Sequence, residues 1–130
     1  MSERNHAVLI VEDDVSSQNY YQHILRELYD VHVVSTVAEA KNVLKEGVFS
    51  VAIIDISLPG GEDGLDLIRH IIKTYPEKPA PIVITAHAFK HDRKAALKAG
   101  AVEYFTKPLL SGIILEVVQK YADRHNSTGT

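Results

Sequence analysis

Polar residues that could do chemistry recur just after short apolar runs: Glu12, Asp13 and Asp14 after AVLIV, Asp55 after VAII, Thr85 closing PIVIT, and Lys107 with Pro108 soon after VEYF. Carboxylates, a hydroxyl and an ammonium are the inventory of phosphoryl transfer. They supply a nucleophile, groups that neutralise the oxygens of the moving group, and a donor that orients them. If the carboxylates converge, electrostatics narrows the chemistry further. Two of them ~4 Å apart repel by roughly 4 kcal/mol at an effective dielectric of ~20, so three must share protons or bind a cation. A hard divalent ion meets that need, because Mg2+ takes one or two carboxylates and completes its shell with water and phosphate oxygens. Asp14 and Ser16 have a second use, since either fits the cap of the helix that follows.

Convergence requires elements that bring these residues to one place. The apolar runs AVLIV from Ala7, VHVV from Val31, VAII from Val51, PIVIT from Pro81 and VEYF from Val102 read as strands. An unbroken run such as Val51 to Ile54 is a strand covered on both faces, which favours a parallel sheet flanked by helices. The segments between repeat every three to four residues. The first carries a stripe of Tyr20, Tyr21, Ile24, Leu25 and Leu28. The second opens with Thr36 and Glu39 in capping-box spacing and stops at Gly47, where a left-handed cap costs least. In the third, Leu65, Ile68, Ile71, Ile72 and Tyr75 share a face that ends before Pro76. A short alanine-rich fourth stops at Gly100, and the fifth aligns Ile113, Ile114, Val117, Val118 and Tyr121. Strict alternation of strand and helix predicts right-handed crossovers, and in open α/β sheets ligands gather at the carboxyl ends of the strands.

Composition bounds the rest. A chain of 130 residues, 45% hydrophobic and 24% charged, is sized for one core. A net charge of −3 disfavours direct nucleic-acid or anionic-membrane contact. The absence of cysteine excludes disulfides and thiolate chemistry and fits a reducing compartment. No segment approaches the ~18 apolar residues of a membrane span, so a cytoplasmic location is expected. Residues 125–130 are expected to form a disordered tail after a domain covering 1–124.

VLIVEDD, IIDISLPG, IVITAHA and YFTKPL, in this order and spacing, resemble the receiver domains of two-component response regulators over residues 7–124. The resemblance implies a flavodoxin-like, doubly wound α/β fold, with five parallel strands in the order 2-1-3-4-5 and helices on both faces, the order for which a chemotaxis receiver is a standard example. It implies that Asp55 is the phosphoacceptor, that Asp13 binds Mg2+ directly, that Glu12 acts through metal-bound water, and that the Ser57 carbonyl is a further ligand. Thr85 and the Ala86 N–H would hold the phosphoryl group, Lys107 would pair with it, and Pro108 would follow through a cis peptide. Thr85 and Tyr104 would form the switch: Thr85 is drawn towards the phosphoryl group, Tyr104 turns inward, and the face of the fourth helix, fifth strand and fifth helix is reshaped. Ser57 and His87 occupy the positions that tune acyl-phosphate lifetime. The implied partners are a histidine kinase or histidine phosphotransfer protein and a downstream protein that reads a surface including Lys90, Lys94, Lys98, Tyr104 and the neighbourhood of Gly112. A monomer or weak dimer is expected.

The loop GGEDG looks one residue longer than the usual pattern before the glycine at Gly64. His87 and His91 are four apart, as zinc ligands on a helix can be, but no glutamate stands at a metalloprotease position between them. Lys90, His91, Arg93, Lys94 and Lys98 read as a solvated basic face. Two other functions use related parts. A haloacid-dehalogenase-like phosphatase also needs an aspartate nucleophile, Mg2+, a hydroxyl and a lysine, but its nucleophile follows the first strand, where this chain has Glu12 and Asp14. A degenerate receiver would only dock partners, and the full set of transfer residues argues against it. The reading is of a phosphoacceptor that catalyses its own transfer and slow dephosphorylation, as a stand-alone protein or as a domain cut from a hybrid kinase.

Overall fold

The computed structural model describes residues 6–86 and 90–128. Strands β1 (Ala7–Val11), β2 (Asp30–Val34), β3 (Val51–Ile54), β4 (Ala80–Thr85) and β5 (Glu103–Thr106) alternate with helices α1 (Val15–Leu25), α2 (Val37–Glu46), α3 (Gly64–Thr74), α4 (Lys90–Ala99) and α5 (Ser111–Thr128). The strands form one sheet in the order β2-β1-β3-β4-β5, and every pairing is parallel.

Side chains of successive strand residues point to opposite faces, and this splits the apolar runs between two cores. Val8, Ile10, Val51, Ile53, Ile82 and Ile84 pack with Tyr21 and Leu25 of α1 and Ile114 and Val118 of α5. Leu9, Val11, Ala52, Ile54 and Val83 pack with Val37, Ala40 and Leu44 of α2, Leu67, Ile68 and Ile71 of α3, and Ala96 of α4. Both faces of β1, β3 and β4 are therefore apolar along their length. A charged residue is tolerated only where the strand leaves the sandwich, at its end.

The helices differ from the sequence-based stripes in instructive ways. Of the residues aligned on α1, Tyr21 and Leu25 are buried, but Tyr20 faces outward and Leu28 lies beyond the helix, exposed. On α3 the buried set is Leu67, Ile68 and Ile71, while Ile72 is 44% exposed. The helix turns its face towards Leu67, which a stripe drawn from Leu65 passes by. The capping box of Thr36 and Glu39 forms. Gly47, however, has φ −147°, an extended conformation open to any residue, because the chain runs straight on towards β3. The left-handed glycine ends α4 instead: Gly100 has φ +125°. Helix α5 continues through residues 125–128, past the expected domain boundary at 124.

The chain between β3 and α3 is pinned by Gly64. Its N–H donates to the Ile56 carbonyl at 2.8 Å. A β-carbon there would fall on the Asp55 carbonyl oxygen and within 2.8 Å of the Ile56 Cα. Both obstacles are backbone and cannot swing away. Gly64→Ala is expected to destabilise the domain by about 2 kcal/mol, read as a lowered urea midpoint; an unchanged midpoint would show that the α3 start moves freely relative to β3. The GGEDG loop is also anchored, since Lys41 on α2 holds both carboxylate oxygens of Glu62 at 3.1 Å.

Candidate functional site

The register aligns the strand ends. Val11 lies opposite Ile54, Ile54 opposite Val83, and Thr85 opposite Thr106. The ladder then runs one step past the strands: the Asp55 N–H donates to the Val11 carbonyl at 3.1 Å and the Lys107 N–H to the Thr85 carbonyl at 2.8 Å. Glu12, Asp55, Thr85 and Lys107 are thereby set side by side on the carboxyl edge.

Asp55 is the centre. It is 7% exposed, and both its oxygens are engaged. Oδ1 accepts from the Thr85 hydroxyl at 2.8 Å and from the Ser57 N–H at 3.1 Å. Oδ2 accepts from the Lys107 ammonium at 3.1 Å. That ammonium also donates to Glu12 Oε1 at 2.7 Å, while Glu12 Oε2 accepts from the Asp14 N–H at 3.0 Å. Asp13 stands exposed at the mouth, and carboxylate oxygens of Glu12, Asp13 and Asp55 all lie within 4.8 Å of one another.

Three carboxylates thus converge, and one ammonium pairs with two of them. Burial raises the Glu12 carboxyl above its ordinary value, against the opposing pull of Lys107 and of the Asp14 N–H. Burial alone would lower Lys107, but the hydrogen bond to Glu12 and the charge of Asp55 outweigh it and hold the ammonium above the usual lysine range. The cluster keeps a surplus of negative charge around hard oxygen donors, an environment that suits a divalent cation of the Mg2+ type.

Asp14, adjacent to these residues in sequence, caps α1, accepting from the Ser17 N–H and hydroxyl at 2.9 Å, and is not in the carboxylate cluster. Ser57 and Ala86 are exposed beside the site. The Lys107–Pro108 peptide is cis. Tyr104 is half-buried and packs on the core shared by α2, α3 and α4. Its phenol is raised chiefly by burial and next by Asp92. The Thr85 hydroxyl bonds Asp55 directly. His87 lies outside the described residues. Two donors are invisible in the sequence, the N–H groups of Ser57 and Asp14, because backbone groups leave no mark in residue types. The α1 stripe includes Tyr20, yet its hydroxyl reaches out to the Leu109 carbonyl at 2.8 Å and ties α1 to the chain following Lys107.

A sheet of this order with this carboxyl edge belongs to the receiver class of signalling domains. Residues 8–119 match the response regulator receiver domain, and the chain belongs to that family, the receiver domains of two-component systems. It is 34% identical over 111 residues to the response regulator protein PilR of Pseudomonas aeruginosa, covering 85% of this chain and 24% of that one. The chain therefore spans about a quarter of that relative's length. A CheY-like receiver domain protein from Methanospirillum hungatei superposes with a TM-score of 0.87 at 28% identity, over 95% of this chain and 98% of that one. The receiver domain of a sensor histidine kinase from Pseudomonas aeruginosa PAO1, solved with a magnesium ion in its active-site cleft, gives 0.81 at 27% identity, over 91% and 98%. Family membership sets aside the phosphatase alternative. Glu12, at the end of the strand that would carry that nucleophile, is 1% exposed and bonded to Lys107. Among the described residues no helix is long and apolar enough to cross a membrane.

Proposed function

We propose that Asp55 accepts a phosphoryl group from the phosphohistidine of a histidine kinase or phosphotransfer protein, and that the domain signals through the state of that residue. The observation that carries this reading is a nearly buried carboxylate held at once by a hydroxyl, a backbone N–H and an ammonium. An Asp55 oxygen attacks phosphorus, the P–N bond to the donor imidazole breaks, and the imidazole leaves with that electron pair. Lys107 neutralises charge on the transferred group. Thr85 exchanges its bond to Asp55 for one to a phosphoryl oxygen, aided by the Ala86 N–H. Water later attacks phosphorus and restores the carboxylate, with Ser57 and His87 tuning access. The domain catalyses these steps on its own carboxylate.

The donor set fits Mg2+, since all three side chains offer oxygen and converge. Asp13 and Asp55 would hold it with the Ser57 carbonyl, and Glu12 through water. Bound there, such an ion would neutralise oxygen charge during transfer. Asp13→Asn is expected to weaken Mg2+ binding by roughly 100-fold and Glu12→Gln by less, about tenfold, measured by calorimetric titration. Equal losses would reverse the two roles. The contrast rests on Glu12 being committed to Lys107 and to the Asp14 N–H.

Labelling with acetyl phosphate followed by mass spectrometry tests the acceptor. One Mg2+-dependent adduct on Asp55 separates the switch from a docking-only domain; an adduct elsewhere, or none, sinks the assignment. For the output, the expected route runs from Thr85 through Tyr104 to α4, β5 and α5. Thr85→Ala should remain phosphorylatable but lose amide shifts on that face when beryllofluoride is added. Wild-type shifts confined to the loops around Asp55 would refute the route. Cytoplasmic location and a monomer or weak dimer belong to the same proposal.

A further inference from the structure

Helices α3 and α4 leave a cleft of about 460 Å3 between them, away from the phosphoacceptor edge. Its walls carry Arg69 and Lys73 from α3 and Lys98 from α4, and its floor is Ile72, Ala95 and Ala99. Lys98, expected from sequence on the α4, β5 and α5 face, therefore lines the side towards α3. The floor is built by Gly100. A β-carbon there would collide with Ile72, and the positive φ of +125° reserves the position for glycine. The isoleucine can lie against the end of α4 and still be 44% exposed. Among the described residues that line the cleft none is acidic, and Arg69 is paired with Asp66 on its own helix at 3.3 Å. The cleft is thus a locally cationic groove with an aliphatic floor on a chain whose net charge is −3.

We propose that this groove binds an acidic amphipathic helix of a protein partner, whose apolar residue seats on Ile72 while its carboxylates meet Arg69, Lys73 and Lys98. Charge complementarity selects the sign of the occupant. The aliphatic floor requires an apolar stripe, and a groove between two helices is the shape that a third helix fills. Nucleic acid fits poorly, because no aromatic among the described residues lines the cleft to stack a base. A membrane fits poorly as well, since the apolar residues sit in a depression. The lining residues run from Arg69 to Lys73 on α3 and from Ala95 to Ala99 on α4, about 7 Å at 1.5 Å per residue, so the groove takes one to two turns of partner.

The test is amide-shift titration of the full chain with three probes: a helical peptide of about 11 residues bearing a leucine stripe flanked by glutamates, the same composition with the stripe scrambled, and a poly-dT oligonucleotide. Anionic phospholipid vesicles are added in a co-sedimentation assay. The striped peptide is expected to shift Arg69, Ile72, Lys73, Ala95, Lys98 and Ala99. Lys73→Glu with Lys98→Glu should weaken it about tenfold or more, and Ile72→Ser, which leaves the charge unchanged, should weaken it too. Shifts of these variants remote from the cleft should match wild type, establishing the fold. Equal binding of the scrambled peptide, stronger binding of the oligonucleotide or vesicles, shifts centred elsewhere, or no shifts at all would each overturn the proposal.

Discussion

Asp55→Asn is expected to lose the acetyl phosphate adduct to background while keeping the fold. The amide oxygen is a poor nucleophile, because its lone pair electrons are shared with nitrogen and it bears no charge. The structural cost is small for a reason visible in the bonding. Asparagine keeps an oxygen for the Thr85 hydroxyl and the Ser57 N–H, the two donors to Oδ1. Its NH2 replaces the oxygen that meets Lys107, and Lys107 retains Glu12 at 2.7 Å. Two changes then oppose each other: an ion pair at 3.1 Å is lost, and a member of a mutually repelling carboxylate group is removed. Thermal stability should change by less than about 1 kcal/mol, about 4 °C in midpoint. Undiminished labelling of this variant would refute the acceptor assignment, and a collapsed thermal transition would show that the pairing with Lys107 outweighs the relief of repulsion.

The second large effect is on stability. Lys107→Met keeps most of the aliphatic stem but removes the charge that faces Glu12, whose side chain is 2% exposed. Removing one partner of a buried pair costs about 3–5 kcal/mol; the lysine is 22% exposed, so about 2–3 kcal/mol is expected here without divalent cations. The loss depends on pH with a definite sign. Burial already raises Glu12 above the ordinary 4.5, so charging it costs more in the folded state than in the unfolded one, and stability from this group is present below 4.5 and declines as pH rises through the raised value. Without Lys107 that value climbs further. The gap between variant and wild type should therefore widen towards neutrality and narrow as pH falls towards 4.5. In the wild type, Lys107 itself contributes in the opposite range, with stability fully present below the ordinary lysine value of 10.5 and lost only as pH rises through its elevated one. Denaturant midpoints at matched pH check both limbs; a gap independent of pH would mean that Glu12 does not depend on this ammonium.

The strands were readable because residues such as Val51 to Ile54 are buried on both faces and leave an unbroken apolar run. For the same reason the site was readable: a charge following such a run has only the strand end to occupy. Parallel pairing follows from strand and helix alternation, whereas the strand order rested on the family resemblance. What stayed hidden depends on three-dimensional detail. Helix faces blur because α3 buries Leu67 and leaves Ile72 half outside, a rotation that depends on its neighbours. Gly47 and Gly100 look equivalent in sequence, and only the direction of the following chain decides which is left-handed. Residue types put Lys107 at a strand end like the acids but not across two carboxylates.

That span has a consequence for how the domain comes into being. Lys107 and Glu12 are 95 residues apart in sequence, and Thr85 lies 30 from Asp55. The acidic side chains are made early, and their counter-charge arrives with the last strand. Pairings this distant form slowly relative to local ones, so a nascent chain ending before β5 holds Glu12 and Asp55 without their ammonium. Chemical competence is thereby tied to completion of the sheet, and a fragment lacking the last strand and helix should be both inert towards acetyl phosphate and quickly cut by protease.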